Sequence, residues 1–155
     1  MMRLKHFILL ISMILTTACG FKIDNLQKKF TISEINTSGE KKINFRIKNK
    51  VLANNDTSSD NLIKLDITTK KVKSIKEKNI SNEIEKYQIS IVTNVSYMII
   101  KNNTSGDFNI SKSGDYNVSS KYSDTINSEK RLINNLTQEI IQEIIDNLAS
   151  KFNDL

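Results

Sequence analysis

The chain predicts an α+β fold: a four-stranded sheet, antiparallel or mixed, with two helices packed on one face, in the order strand-helix-strand-strand-strand-helix. Three observations lead there. Apolar and polar residues alternate through several stretches in the middle of the chain; a long apolar stripe at steps of three and four closes the sequence; and a shorter stripe of the same kind interrupts the alternation early.

In FTISEI, Phe30, Ile32 and Ile35 form a short half-buried strand that Ser38 and Gly39 are expected to break. From Glu40 to about Ala53 the spacing changes to Ile43, Ile47 and Val51, with Leu52 beside them and Phe45 off the stripe, which predicts a helix. The polar run Asn54 to Asp60 reads as a loop.

In LIKLDITTK, Ile63, Leu65 and Ile67 alternate with Lys64, Asp66 and Thr68, as in a strand with one face on a core and one in water. The following KKVKSIKEKNISNEI extends it to a turn near Asn79 to Asn82. Tyr87, Ile89, Ile91, Thr93, Val95, Tyr97 and Ile99 then alternate over about 15 residues, long against the usual strand of about 5–6. Asn102 to Gly106 carry turn chemistry, and Phe108, Ile110, Tyr116 and Val118 resume the same parity, which predicts a hairpin.

From about Ser123 to Phe152 the apolar residues Leu132, Leu136, Ile140, Ile144 and Leu148, with Ile133, Ile141, Ile145 and Phe152 beside them, mark an amphipathic helix. Packed on the sheet, it makes Ile140 and Ile144 share a core with Ile89 and Ile91; a coiled-coil dimer seam is the alternative use of the stripe. No internal repeat or second domain appears.

The beginning of the chain has a different logic. Arg3 and Lys5 precede an apolar run, Phe7 to Leu15, far short of the roughly 20 residues that span a bilayer but sufficient for a secretory signal. Thr17, Ala18, Cys19 and Gly20 resemble the lipobox of bacterial lipoproteins, although Thr16 stands where leucine is usual and Leu15 lies one step further back. Residues 1–18 are therefore expected to be a lipoprotein signal peptide and residues 19–155 a single domain carrying a covalent lipid on Cys19. An ordinary secretory signal with a chance cysteine is the alternative. Stable anchoring needs more than one acyl chain, each buried methylene contributing about 0.8 kcal/mol, and a triacylated cysteine meets that need. Gly20, where aspartate would signal inner-membrane retention, makes the lipoprotein resemblance point to the outer membrane of a Gram-negative cell.

Composition removes other functions. The 23 basic and 17 acidic residues give a net charge of +6, of which Arg3 and Lys5 supply two. The excess is mild, and no basic face with interleaved aromatics marks nucleic-acid binding. The only histidine, His6, falls in the signal, and the only cysteine is the acylation site. Imidazole-based triads, thiolate nucleophiles and the usual zinc sites each lack a necessary group. The carboxylates show no glycosidase or metal spacing, and the four glycines form no phosphate loop. The sequence thus predicts a non-enzyme with no catalytic residue, metal or cofactor beyond the lipid on Cys19.

The element order, the lipobox, Tyr87 opening the long strand, Tyr97 near its end, and YNVSSKYSD (Tyr116 to Asp124) leading into the last helix together resemble the LptE family, lipoprotein partners of the lipopolysaccharide-assembly barrel LptD. The resemblance covers nearly the whole chain. Cys19, Gly20 and Phe21 look like the family's start, whereas Lys22, Ile23 and Asp24 replace the proline and tyrosine that often follow. It implies a lipid-anchored outer-membrane protein on the periplasmic side, plugging an LptD-like β-barrel and helping it deliver lipopolysaccharide to the outer leaflet. Lys101 and Lys112 become candidate lipopolysaccharide contacts, against the plainer reading of solubilising surface lysines. The competing expectation is a periplasm-facing lipoprotein that binds a lipid or small molecule, or a pilot for another outer-membrane machine.

Overall fold

The computed structural model describes residues 30–55, 59 and 61–153. The expected signal, Cys19 and most of the expected 54–60 loop lie outside the described residues. Among these, the chain forms β1 (Thr31–Gly39), α1 (Lys41–Ala53), β2 (Leu62–Lys78), β3 (Ile84–Ile99), β4 (Thr104–Asn117) and α2 (Tyr122–Asn153). The strands make one mixed sheet in the order β1-β2-β3-β4. β1 and β2 are parallel, and β2, β3 and β4 are successively antiparallel. The parallel pair follows from α1, which reverses the chain between two strands that therefore run the same way.

Ser38 and Gly39 do not break β1. They remain in the ladder opposite Thr68 and Thr69, the strand ends with Gly39, and the N–H of the next residue, Glu40, donates to the Thr69 carbonyl at 3.0 Å. Gly39 sits at φ 94°, and a Cβ there would lie 2.0 Å from the Thr69 carbonyl oxygen, so only glycine makes this strand-to-helix corner. The free edge of β1 is closed by side chains. Asn55 accepts the Ile32 N–H at 2.7 Å and donates to the Ile32 carbonyl at 3.2 Å, in the manner of a missing strand, and Lys48 donates to the Ile35 carbonyl at 3.2 Å.

β2 runs the full length the sequence allowed, and the β2–β3 turn falls at Asn79–Glu83, where the Asn79 side chain accepts the N–H groups of Ser81 and Glu83, both at 2.9 Å. The next turn is tighter than expected: β4 begins at Thr104, not after Gly106, because Asn103 takes a left-handed φ of 55° and closes the hairpin early. Val118 falls just past β4 and is half-exposed.

Both helices lie on one face of the sheet. Ile63, Leu65 and Ile67 of β2, Ile89, Ile91 and Val95 of β3 and Ile110 of β4 point into that layer and are buried. α1 contributes Ile43, Ile47 and Val51, and α2 contributes Leu136, Ile140, Ile144 and Leu148. Phe45, off the α1 stripe, is 67% exposed. α2 approaches β4 closely over Gly114, where an added Cβ would meet Leu132 at 2.7 Å. Phe152 closes one end of the core, with its ring centroid 5.1 Å from Phe30 and 5.8 Å from Tyr97.

The expected core of Ile89, Ile91, Ile140 and Ile144 is fully buried. Ile91→Ala or Ile144→Ala should each lower the unfolding free energy by about 2–5 kcal/mol in urea titrations, whereas Phe45→Ala should stay within about 0.5 kcal/mol. Equal effects at the two kinds of site would refute this layer assignment.

Candidate functional site

The side of the sheet away from the helices carries no covering element among the described residues. Asp66, Thr68 and Lys70 of β2, Asn94 and Ser96 of β3, and Asp107, Asn109 and Ser111 of β4 are exposed there. Its larger apolar side chains are Leu62 and Val72 of β2, which are exposed, and Val92 and Met98 of β3, which are half-buried. The strict period of two in β2, β3 and β4 generates this asymmetry, since every residue between two core positions must point to the other face. The result is a long surface of hydroxyls, amides and mixed charges.

The inner face changes character along β2. Its apolar alternation ends at Thr69, whose hydroxyl lies 3.5 Å from that of Thr93, and the next inward positions are Lys71 and Lys73, opposite Ile91 and Ile89. The reason is coverage: α1 begins level with Thr69 and runs back toward the start of β1, so the distal half of β2 has only α2 nearby.

Lys73 is held in a polar cluster. Its ammonium sits 2.7 Å from the Glu129 carboxylate of α2 and 4.2 Å above the Tyr87 ring, and the Tyr116 hydroxyl donates to the same carboxylate at 2.7 Å. Tyr87 and Tyr116 stack at 5.7 Å. Burial works against the Lys73 charge, but hydrogen bonds and charge from Glu129 and Tyr116 outweigh it and hold the pKa above the ordinary lysine value. Burial likewise raises Glu129, yet the Lys73 and Tyr116 hydrogen bonds prevail and lower its pKa below 4.5. Burial leads the upward shift of Tyr116. Sequence reading singled out both tyrosines but missed Lys73 and Glu129; a lysine on the inward parity of β2, facing the apolar run of β3, was the available signal.

The two lysines named from the sequence lie apart. Lys101 is exposed in the turn after β3, while Lys112 stands opposite Ile91 in the body of β4 and binds Glu143 of α2 at 2.6 Å, a hydrogen bond that raises its pKa. Strand geometry separates them by about 30 Å. Cys19 lies outside the described residues. Among the described residues no group of histidine, cysteine and carboxylate side chains is placed to hold a metal ion, and no helix is long and apolar enough to cross a membrane.

The Lys73 cluster makes stability depend on pH. The lowered Glu129 pKa stabilises the fold above pH 4.5, and that contribution is lost as pH falls through the lower folded value. The raised Lys73 pKa stabilises below 10.5 and its contribution is lost only above that. Glu129→Gln should therefore cost about 1 kcal/mol, constant from pH 6 to 9, with the difference from the parent chain shrinking toward pH 3 in urea titrations. A difference that stays flat to pH 3 would refute it.

No protein-family model matches the sequence, and no curated protein matches it. Solved structures match by fold. Rare lipoprotein B from Shewanella oneidensis is 11% identical at a TM-score of 0.62, covering 78% of this chain and 97% of that one. A lipoprotein B from Nitrosomonas europaea is 12% identical at a TM-score of 0.57, covering 86% and 93%. A lipoprotein structure from Caulobacter crescentus is 14% identical at a TM-score of 0.54, covering 77% and 90%. Each of the three is spanned almost whole. The likeness is one of fold: this chain has the same two-layer α+β architecture as these lipoprotein structures.

Proposed function

We propose that this chain is an outer-membrane lipoprotein of the LptE kind, anchored through an acylated Cys19 on the periplasmic side, that plugs an LptD-like β-barrel and helps assemble it for lipopolysaccharide insertion into the outer leaflet. The observation that carries the reading is the largely polar sheet face that no element covers among the described residues. Large outer-membrane barrels enclose a polar, hydrated lumen, and a compact domain that offers it hydroxyls, amides and mixed charge matches that environment without desolvating unpaired groups. The lipobox and the fold shared with solved lipoproteins support the same reading. A plug also needs no catalytic group.

Purification from native outer membranes in mild detergent tests it. The tagged chain should carry a large β-barrel, identified by mass spectrometry, that survives high salt, since permanent interfaces commonly bury more than about 2,000 Å². Cys19→Ala should leave the chain unacylated and detach it from the membrane, and depletion should leave the barrel misassembled and lipopolysaccharide export reduced. A chain that purifies alone, with export intact after depletion, would overturn the proposal; a copurifying small lipid in that case would favour the ligand-binding lipoprotein instead.

A further inference from the structure

Four cations gather at the notch where α1 begins. A cleft of ≈ 330 Å³ opens there between α1, the inner face of β2 and α2, with Lys42, Arg46, Lys71 and Lys130 around it and the apolar side chains of Ile43 and Ile133 in its wall. Glu40 is the one carboxylate lining it, 3.8 Å from Lys71. Glu129 is near enough to Lys71 to feel its charge, but its carboxylate is engaged by Lys73 and Tyr116. Arg46 is oriented by a hydrogen bond to Asn134 of α2.

The sequence scatters these four cations over three elements, and only the packing of α1 beside α2 brings them together. Like charges repel, so converging them on one concavity costs stability that a bound counter-charge would recover. We infer that this cleft is an anion-binding site, and that its ligand is a phosphate-bearing group. The guanidinium of Arg46 supplies a planar fork suited to two phosphate oxygens, and the ammonium groups supply mobile point charges around it. A second groove of ≈ 490 Å³ adjoins the first, sharing Arg46 and Asn134 and lined further by Phe45, Asn49 and Gln138. It gives the organic part of a phosphate compound an aromatic surface and three amides to lie against. The site does not depend on the anchoring or barrel reading, because every residue in it belongs to this domain.

Inorganic pyrophosphate is the first probe, titrated by calorimetry and by backbone amide shifts against the full chain carrying Cys19→Ser, so that no acyl chain contributes. Binding should move the amides of Ile43, Lys71 and Asn134 and weaken as salt rises. Arg46→Ala with Lys130→Ala should lose at least about tenfold in affinity, the scale of one charge-assisted hydrogen bond, while Lys101→Ala should change it less than about twofold. Arg46→Gln with Lys130→Gln repeats the test with side-chain bulk kept, and thermal melts establish that each variant is folded. Phosphatidylglycerol and phosphatidylcholine vesicles separate the sources. Retention on the anionic vesicles that the double variant abolishes assigns a lipid headgroup, and pyrophosphate binding without vesicle retention assigns a free phosphate compound; either supports the site. Absence of pyrophosphate binding, or equal binding by the parent and the folded double variants, overturns it.

Discussion

The apolar stripe of α2 lies along the inner face of β3 and β4, and most of the structure depends on that one contact. Leu136, Ile140, Ile144 and Leu148 share one core cluster with Ile89, Ile91, Val95 and Ile110, interrupted on the sheet side by the buried Thr93 of β3 and by Lys112 of β4, which pairs with Glu143 of α2. The dimensions agree: 32 helical residues extend about 48 Å at about 1.5 Å each, and the 16 residues of β3 about 53 Å at about 3.3 Å each. A single helix can therefore cover a strand more than twice the usual length, which is why β3 and β4 stay ordered along their whole extent. Gly114 lets the helix come close enough for the side chains to interlock.

α1 is less than half as long, and the consequence reaches the chemistry of the surface. Where α1 covers β2, the inward residues are isoleucine, leucine and threonine; beyond its first turn they are Lys71 and Lys73. At these uncovered inward positions a lysine can lay its stem on neighbouring rings while its ammonium finds a partner, although the next one, Ile75 opposite Tyr87, stays apolar and is 50% exposed. Lys73 does so against Tyr87 and Glu129, tying the far end of the sheet to α2. Lys71 faces the adjoining cleft. One step in coverage thus generates both the tyrosine-lysine-glutamate lock and the basic notch beside it.

The outer face follows the opposite rule. With no helix over it among the described residues, it presents polar side chains that make short-range contacts among themselves: Lys64 with Glu34 at 3.1 Å and Lys76 with Asp115 at 3.0 Å. Such exposed pairs contribute little to stability. Their use is to keep a broad sheet soluble while leaving hydrogen-bonding groups available to a partner, the kind of polar and hydrated contact that trapped water can complete. The closed β1 edge adds to this, because Asn55 and Lys48 occupy backbone groups that would otherwise recruit a stray strand.

Periodicity alone determined the elements of this protein, their order, and which side of each strand would be buried, because burial of one face forces a period of two in strands and 3.6 in helices. It located Ile89, Ile91, Ile140 and Ile144 in the core and Phe45 outside it. Local turn chemistry was read less well: Gly39 looked like a strand breaker, yet it continues the ladder to a corner set by the Thr69 carbonyl, and Asn103 closes its hairpin three residues early. Whether the sheet was mixed, which cations converge and which lysine pairs with which carboxylate were decided only in three dimensions. Lys73 and Glu129, or Lys42 and Lys130, are far apart in sequence and on different elements, and even the inward parity that marks Lys73 does not name its partner. Their partners are set by how far α1 reaches along the sheet and how α2 crosses it, which is a property of packing and has no period to betray it.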